Sequence, residues 1–186
     1  MRTLVLGGIR SGKSHWAELA LARETQARET QARETQVRYI ATGPAADSGA
    51  GWAQRIAAHR QRRPSDWTTV ESADVATQLR TLPDSPVIVD DLGGWLTATL
   101  DRRGWEDEPI TEDVDQLVAA VGSFGAPLVL VSPEVGLTVI PPTAAGRRFA
   151  DELGVVNQRI AECCERVVLV IAGQPLWVKP PPTASN

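Results

Sequence analysis

Cysteine and histidine are nearly missing from this chain: two of each occur in 186 residues. Cys163 and Cys164 are neighbours. A bridge between adjacent residues is strained, so no disulfide framework is expected, and both read as small, partly buried helix residues. His15 and His59 are the whole imidazole complement. A metal site built from His and Cys is therefore not expected. Aromatic residues are sparse at 5% of the chain, and its six tryptophans (Trp16, Trp52, Trp67, Trp95, Trp105, Trp177) are scattered. They read as core or subunit contacts, not as one stacking surface. No apolar run approaches the ~20 residues that span a bilayer, and the first residues lack the pattern of a secretory leader. The net charge of −4 offers no basic excess for nucleic acid. The expectation is a cytoplasmic protein with no membrane span and no nucleic-acid partner.

What is present suits one domain. The hydrophobic fraction, 42%, supports a real core. Five apolar, β-branched runs read as buried strands: Thr3–Leu6, Val37–Ala41, Val87–Asp90, Leu128–Ser132 and Val167–Ala172. Trp67–Val70 adds a further short candidate. Helical stretches lie between most of them: Lys13 to at least Ala22, Trp52–Arg62, the region of Leu92–Arg103, Glu112–Ser123, and Thr143–Cys164 with an interruption at Gly154. Strand–helix alternation predicts an α/β fold, a mostly parallel sheet with helices on both faces. Residues 1–179 form the single domain in this reading. The Pro-rich tail, residues 180–186, is expected to be disordered.

Ala-Arg-Glu-Thr-Gln occurs three times in tandem from Ala22 to Gln36. Five residues advance a helix by about 500°, so no single face repeats and no stripe can be buried. Glu24–Arg28, Glu29–Arg33 and Glu34–Arg38 are nevertheless (i, i+4) pairs with the acid first, the favourable orientation. The first helix is predicted to continue through much of the repeat, exposed to solvent. The repeat reads as a surface duplication or, alternatively, as a partner-binding arm.

The sharpest chemical signal is Gly7-Gly8-Ile9-Arg10-Ser11-Gly12-Lys13-Ser14. It follows the apolar Leu4-Val5-Leu6 and opens a helical stretch, which is the Gly-x-x-x-x-Gly-Lys-Ser P-loop in its proper context. Glycines let successive N–H groups converge on phosphate oxygens, and the helix points its positive end at the same anion. Lys13 reaches the outer phosphates, and the Ser14 hydroxyl can ligate Mg²⁺. Such a site also needs a carboxylate. Val87-Ile88-Val89-Asp90-Asp91 ends an apolar strand in acid, with Asp90 the stronger candidate for Mg²⁺ and Asp91 the backup; one of the two is expected to hold the metal and the other to cap the next helix. Further along, His59 lies among Arg55, Arg60, Arg62 and Arg63. A neutral imidazole is a competent nucleophile toward phosphorus, and neighbouring cations favour the neutral form. On the residues alone, His59 is either a nucleophile or a surface histidine. His15, one residue after Ser14, reads as a helix-surface residue.

Five motifs together resemble the bifunctional adenosylcobinamide kinase/adenosylcobinamide-phosphate guanylyltransferases of cobalamin biosynthesis (the CobU/CobP family). They are the P-loop; Tyr39-Ile40-Ala41-Thr42; Arg55–Arg60 with Arg63-Pro64 and Trp67; Val89–Leu92 with Trp95-Leu96-Thr97; and Val131–Gly136 followed by Gly146–Phe149. The resemblance runs from Arg2 to Lys179, with the repeat as an insertion. It implies a P-loop NTPase-type, RecA-like fold and two reactions. ATP or GTP phosphorylates adenosylcobinamide, and then GMP passes from GTP through a histidine to the phosphorylated product, giving adenosylcobinamide-GDP. The family histidine falls on His59.

The resemblance also implies nucleotide contacts from Gly7, Gly8, Ile9, Arg10, Ser11, Gly12, Lys13 and Ser14. Thr42, Gly43 and Pro44, then Arg60, Gln61, Arg62 and Arg63, and finally Asp90 join them. Glu71 matches a family carboxylate near guanine, where it could accept from the base N1–H and 2-amino group. A homotrimer with sites near subunit boundaries is implied as well. The chain departs from the family pattern at Asp91, Ala98, Pro133, Thr138 and Pro142, positions that surround the second substrate more than the P-loop. Two other readings share the P-loop: a different small-molecule kinase that makes no use of His59, and a non-catalytic, nucleotide-responsive protein.

Overall fold

The computed structural model describes residues 1–29, 36–43, 64–105 and 108–180. A seven-stranded sheet runs through it in the order β3-β2-β4-β5-β1-β6-β7. The strands are β1 (Arg2–Gly7), β2 (Arg38–Ala41), β3 (Thr68–Glu71), β4 (Val87–Asp90), β5 (Leu128–Pro133), β6 (Arg166–Ile171) and β7 (Gln174–Lys179). All pairings are parallel except β6 with β7. The helices among the described residues are α1 (Lys13–Glu29), α2 (Val75–Thr81), α3 (Leu92–Arg103), α4 (Thr111–Ser123) and α5 (Ala144–Cys163). None is long and apolar enough to cross a membrane.

Side chains alternate across the sheet, and each parity feeds a separate core. Leu4, Ile40, Val87, Val89, Leu128 and Leu130 face α2 to α5. Val5, Tyr39, Ile88, Val129, Val131 and Val168 face the other way, where Ala17 and Leu21 of α1 cover them. The strands read as nearly continuous apolar runs because both faces are covered. This is the expected α/β fold, with helices on both faces.

Three sequence expectations fail in instructive ways. First, β7 was not foreseen. All six of its residues are exposed, and Pro175 interrupts its donor row, so it carries no strand periodicity. Ala172, expected inside β6, instead has φ 49° in the turn before β7. Second, Gly154 does not interrupt α5, which runs unbroken over 20 residues. A helical glycine costs about 1 kcal/mol, and the buried Leu153, Val156 and Ile160 around it outweigh that. Third, α2 was missed. It has only seven residues, although Asp74 caps it by accepting from the Thr77 N–H at 3.1 Å.

The repeat is also not uniformly exposed. The helix does extend to Glu29, but Glu24 turns inward to Arg166 of β6, 2.6 Å away, and Thr25 is buried. Arg166 further donates to Thr3 Oγ1. The first copy is thus part of the domain's packing. Residues 30–35 of the later copies, the expected helix at Trp52–Arg62 and the tail 181–186 lie outside the described residues.

Candidate active site

The chain leaves β1 toward one face, into α1, and leaves its neighbour β5 toward the other, into α5. Diverging connections from adjacent parallel strands open a crevice at their carboxyl ends, the place where α/β sheets bind ligands. The P-loop lies there. Its backbone is tightly constrained. Arg10 and Gly12 take φ values of 57° and 92°, the Ser11 N–H donates to Gly8 O, and the Trp16 N–H donates to Gly12 O. A Cβ on Gly7 would fall 2.4 Å from Ser11 Oγ and 2.8 Å from Val170 O, so only glycine fits. Beside the loop, the Glu134 N–H donates to Gly7 O, joining the end of β5 to it.

Asp90 reaches this crevice from β4, two strands away from β1. Its Oδ1 accepts from Ser14 Oγ at 3.2 Å, and its other oxygen accepts from the Tyr39 hydroxyl. A hydroxyl and a carboxylate meeting beside a phosphate loop are hard oxygen donors. Two protein oxygens suit Mg²⁺, which keeps waters and takes its other ligands from phosphates. Asp91 does different work. It caps α3, accepting from the Gly94 N–H at 2.8 Å. Burial, and then the charge of Asp90, push its carboxyl above the usual range, against hydrogen bonds from Gly94 and Gly93 and the charge of Lys13.

The predicted nucleotide residues gather in part. Thr42 is buried at the end of β2, donating its hydroxyl to Asp91 O. Gly43 follows it against α3, and a Cβ on Gly94 would come within 3.0 Å of the Gly43 N. Glu71 closes β3 in register with Ala41, so it stands at the same sheet end, one strand further out. Ile9 and Arg10 are exposed on the loop. Pro44, His59, Arg60, Gln61, Arg62 and Arg63 lie outside the described residues. His15 is exposed on α1, 3.9 Å from Glu18.

Two contributors were not anticipated. Tyr39 orients Asp90, and the sequence offered it only as part of the Tyr39-Ile40-Ala41-Thr42 motif, with no role of its own. Asn157 on α5 accepts from Ser132 Oγ at 2.6 Å and donates to Pro133 O at 3.1 Å. It pins the end of β5, where the Pro133 ring packs close to Gly93 of α3.

A phosphate loop, its following helix and a carboxylate on a nearby strand end define a P-loop nucleotide-dependent protein. Comparison with known proteins narrows the class. The family described as "Cobinamide kinase / cobinamide phosphate guanyltransferase" matches residues 3–178. The chain is 40% identical to the bifunctional adenosylcobalamin biosynthesis protein CobP of Pseudomonas aeruginosa, over 98% of this chain and 99% of that one. It is 32% identical to the bifunctional adenosylcobalamin biosynthesis protein CobU of Salmonella typhimurium, over 96% of this chain and all of that one. The chain belongs to the cobinamide kinase / cobinamide phosphate guanyltransferase family, a family of bifunctional enzymes.

Proposed function

We propose that this protein carries out both reactions of its family in adenosylcobalamin biosynthesis. In the first, the hydroxyl oxygen of adenosylcobinamide attacks the γ-phosphorus of ATP or GTP. The bond from that phosphorus to the bridging oxygen breaks, a nucleoside diphosphate leaves, and the hydroxyl proton is released. Lys13 and the N–H groups of the P-loop hold the phosphates and offset the charge that develops on them. Ser14 and Asp90 would hold Mg²⁺, which supplies further charge neutralisation when bound. The Ser14–Asp90 contact beside the phosphate loop is the observation that carries this reading.

In the second reaction, a His59 imidazole nitrogen attacks the α-phosphorus of GTP. The α–β bridge breaks and pyrophosphate leaves, so the enzyme holds GMP as a phosphoramidate. A phosphate oxygen of adenosylcobinamide phosphate then displaces the histidine and forms the diphosphate linkage of adenosylcobinamide-GDP. Splitting one transfer into two lowers each barrier. Arg60, Arg62 and Arg63 neutralise the phosphates in this reading, with Gln61, Thr42, Gly43 and Pro44 completing the nucleotide contacts. Glu71 selects guanine. The protein works in the cytoplasm as a homotrimer.

The test is covalent. The protein is incubated with Mg²⁺ and GTP, and its intact mass is measured. A GMP adduct that is lost in acid, survives base and is missing from His59→Ala is the expected result. Bound nucleotide with no adduct would remove His59 from the mechanism and leave a simple P-loop kinase or a nucleotide-sensing protein.

A further inference from the structure

The Ser11 carbonyl, in the middle of the P-loop, accepts a hydrogen bond from the Gly173 N–H at 2.7 Å. Gly173 is remote from that loop in sequence. It is the second residue of the tight turn joining β6 to β7, where Ile171 pairs with Gln174. Ala172 and Gly173 have φ values of 49° and 77°, the left-handed pair that a two-residue hairpin requires. The approach is close: a Cβ on Gly12 would lie 3.1 Å from Gly173 Cα. The hairpin is also held along its length. Trp177 of β7 meets Trp16 in the first turn of α1, edge to face, with ring centroids 5.8 Å apart. At its far end Lys179 Nζ donates to the carbonyls of Ala161 and Cys164.

We propose that the β6–β7 hairpin is a latch that presets the P-loop for a triphosphate, with Gly173 as a positioning residue. The inference rests on reading the P-loop as a nucleoside triphosphate site. A trans peptide is planar, so its C=O and N–H point in opposite directions. Fastening the Ser11 carbonyl to Gly173 therefore turns the Gly12 N–H away from the hairpin. Were that peptide to flip, an oxygen would replace an N–H among the groups facing phosphate and repel it. Holding the donor orientation in advance lowers the ordering cost of binding. The Trp16–Trp177 contact acts with the latch, fixing the helix N-terminus that faces the same anion.

The latch is tested with full-length variants. At φ 77° a β-branched residue is disfavoured, so Gly173→Val pulls the turn out of shape and the N–H away from Ser11. Gly173→Asn keeps the N–H and tolerates the left-handed region, so it serves as the rescue. Gly104→Val is the control. Gly104 also has φ 77° and open space about its Cβ, but it ends α3 away from the P-loop. GTP affinity with Mg²⁺ is measured by calorimetry, beside melting temperature and the KM and kcat for GTP. Gly173→Val is expected to weaken GTP binding about tenfold, the scale of a lost hydrogen bond to a charged group, mainly as a rise in KM. Gly173→Asn recovers most of that affinity. Gly104→Val lowers the melting temperature without changing affinity. Should Gly173→Val fail to fold, the milder Gly173→Ala is expected to weaken binding by a few-fold, roughly in line with the smaller left-handed penalty. Wild-type affinity in Gly173→Val, or in Gly173→Ala where the valine variant does not fold, or an equal loss in Gly104→Val, overturns the latch. A wild-type chain that binds no GTP overturns the nucleotide reading itself, and the latch with it.

Discussion

Ser14 Oγ and Asp90 Oδ1 stand 3.2 Å apart, although 76 positions separate them in the chain. The first belongs to the opening turn of α1 and the second to the last residue of β4. The pair lies beside the phosphate loop, and the Tyr39 hydroxyl donates to the other Asp90 oxygen. This arrangement separates catalytic from structural effects of substitution at Asp90.

Asp90→Asn keeps an acceptor for the Tyr39 hydroxyl and loses the charge. Its melting temperature should stay near wild type while Mg²⁺-dependent phosphoryl transfer falls by about 100-fold or more, the scale of removing one charge-stabilising group. Asp90→Ala should lose activity similarly. It should also cost about 1–3 kcal/mol in stability, because the buried Tyr39 hydroxyl loses its Asp90 acceptor. Urea melts and GTP turnover on both variants check this. Equal stability of the two would contradict the assigned role of Tyr39.

Asp91 makes a pH-dependent contribution of known sign. Its folded-state pKa is raised by burial and by Asp90. The folded chain therefore holds this proton more tightly than the unfolded chain does. The associated stability is greatest below the ordinary aspartate value of about 4 and declines as pH rises through the raised value. Asp91→Asn retains a helix cap and cannot titrate. The variant should gain on wild type as pH climbs from about 4 toward neutrality. Parallel melting profiles across that range would refute the assignment. Asp91→Ala should lose about 1 kcal/mol by removing the cap.

The Glu24–Arg166 pair ties the first repeat copy to the sheet with side chains mostly shielded from water. Among the described residues Glu24 Oε1 has no hydrogen-bond partner, and the carboxylate's ion pair there is with Arg166. Arg166→Met should destabilise the fold by about 3–5 kcal/mol through the uncompensated buried charge. Adding Glu24→Leu should recover most of that loss. A double-mutant cycle with no coupling would show that the contact contributes nothing.

Cys164 is fully covered, and burial, followed by the neighbouring Cys163 and Glu165, raises its thiol to about 12. It should resist alkylation at neutral pH in the folded protein and react in denaturant, because the thiolate is the nucleophile. Peptide mapping after brief iodoacetamide treatment distinguishes it from the half-buried Cys163. Native labelling of Cys164 at the denatured rate would contradict its burial.

The central strands were legible because burial on both faces leaves β-branched runs with clear limits, as in Val87–Asp90 and Leu128–Pro133. β7 was not, since an exposed edge strand with a proline has no buried face to impose a period. The repeat misled for a related reason. Helical pairing rules describe Glu24 with Arg28, whose side chain lies outside the described residues, and they say nothing of Arg166 of β6, which Glu24 meets once α1 docks. Local spacing cannot register a partner 142 positions away.

By itself the sequence determined the P-loop and the α/β alternation. Phosphate binding uses consecutive backbone N–H groups, and strand burial leaves its mark on consecutive side chains. Tertiary structure alone decided which acid faces Ser14, which acid caps α3, and what holds the loop in shape. Those roles depend on strand order. The sheet brings the end of β4 near β1, and hydrogen bonding places the β6–β7 turn against Ser11. Contacts between distant segments follow from how the whole sheet packs, and no local pattern of residues encodes them.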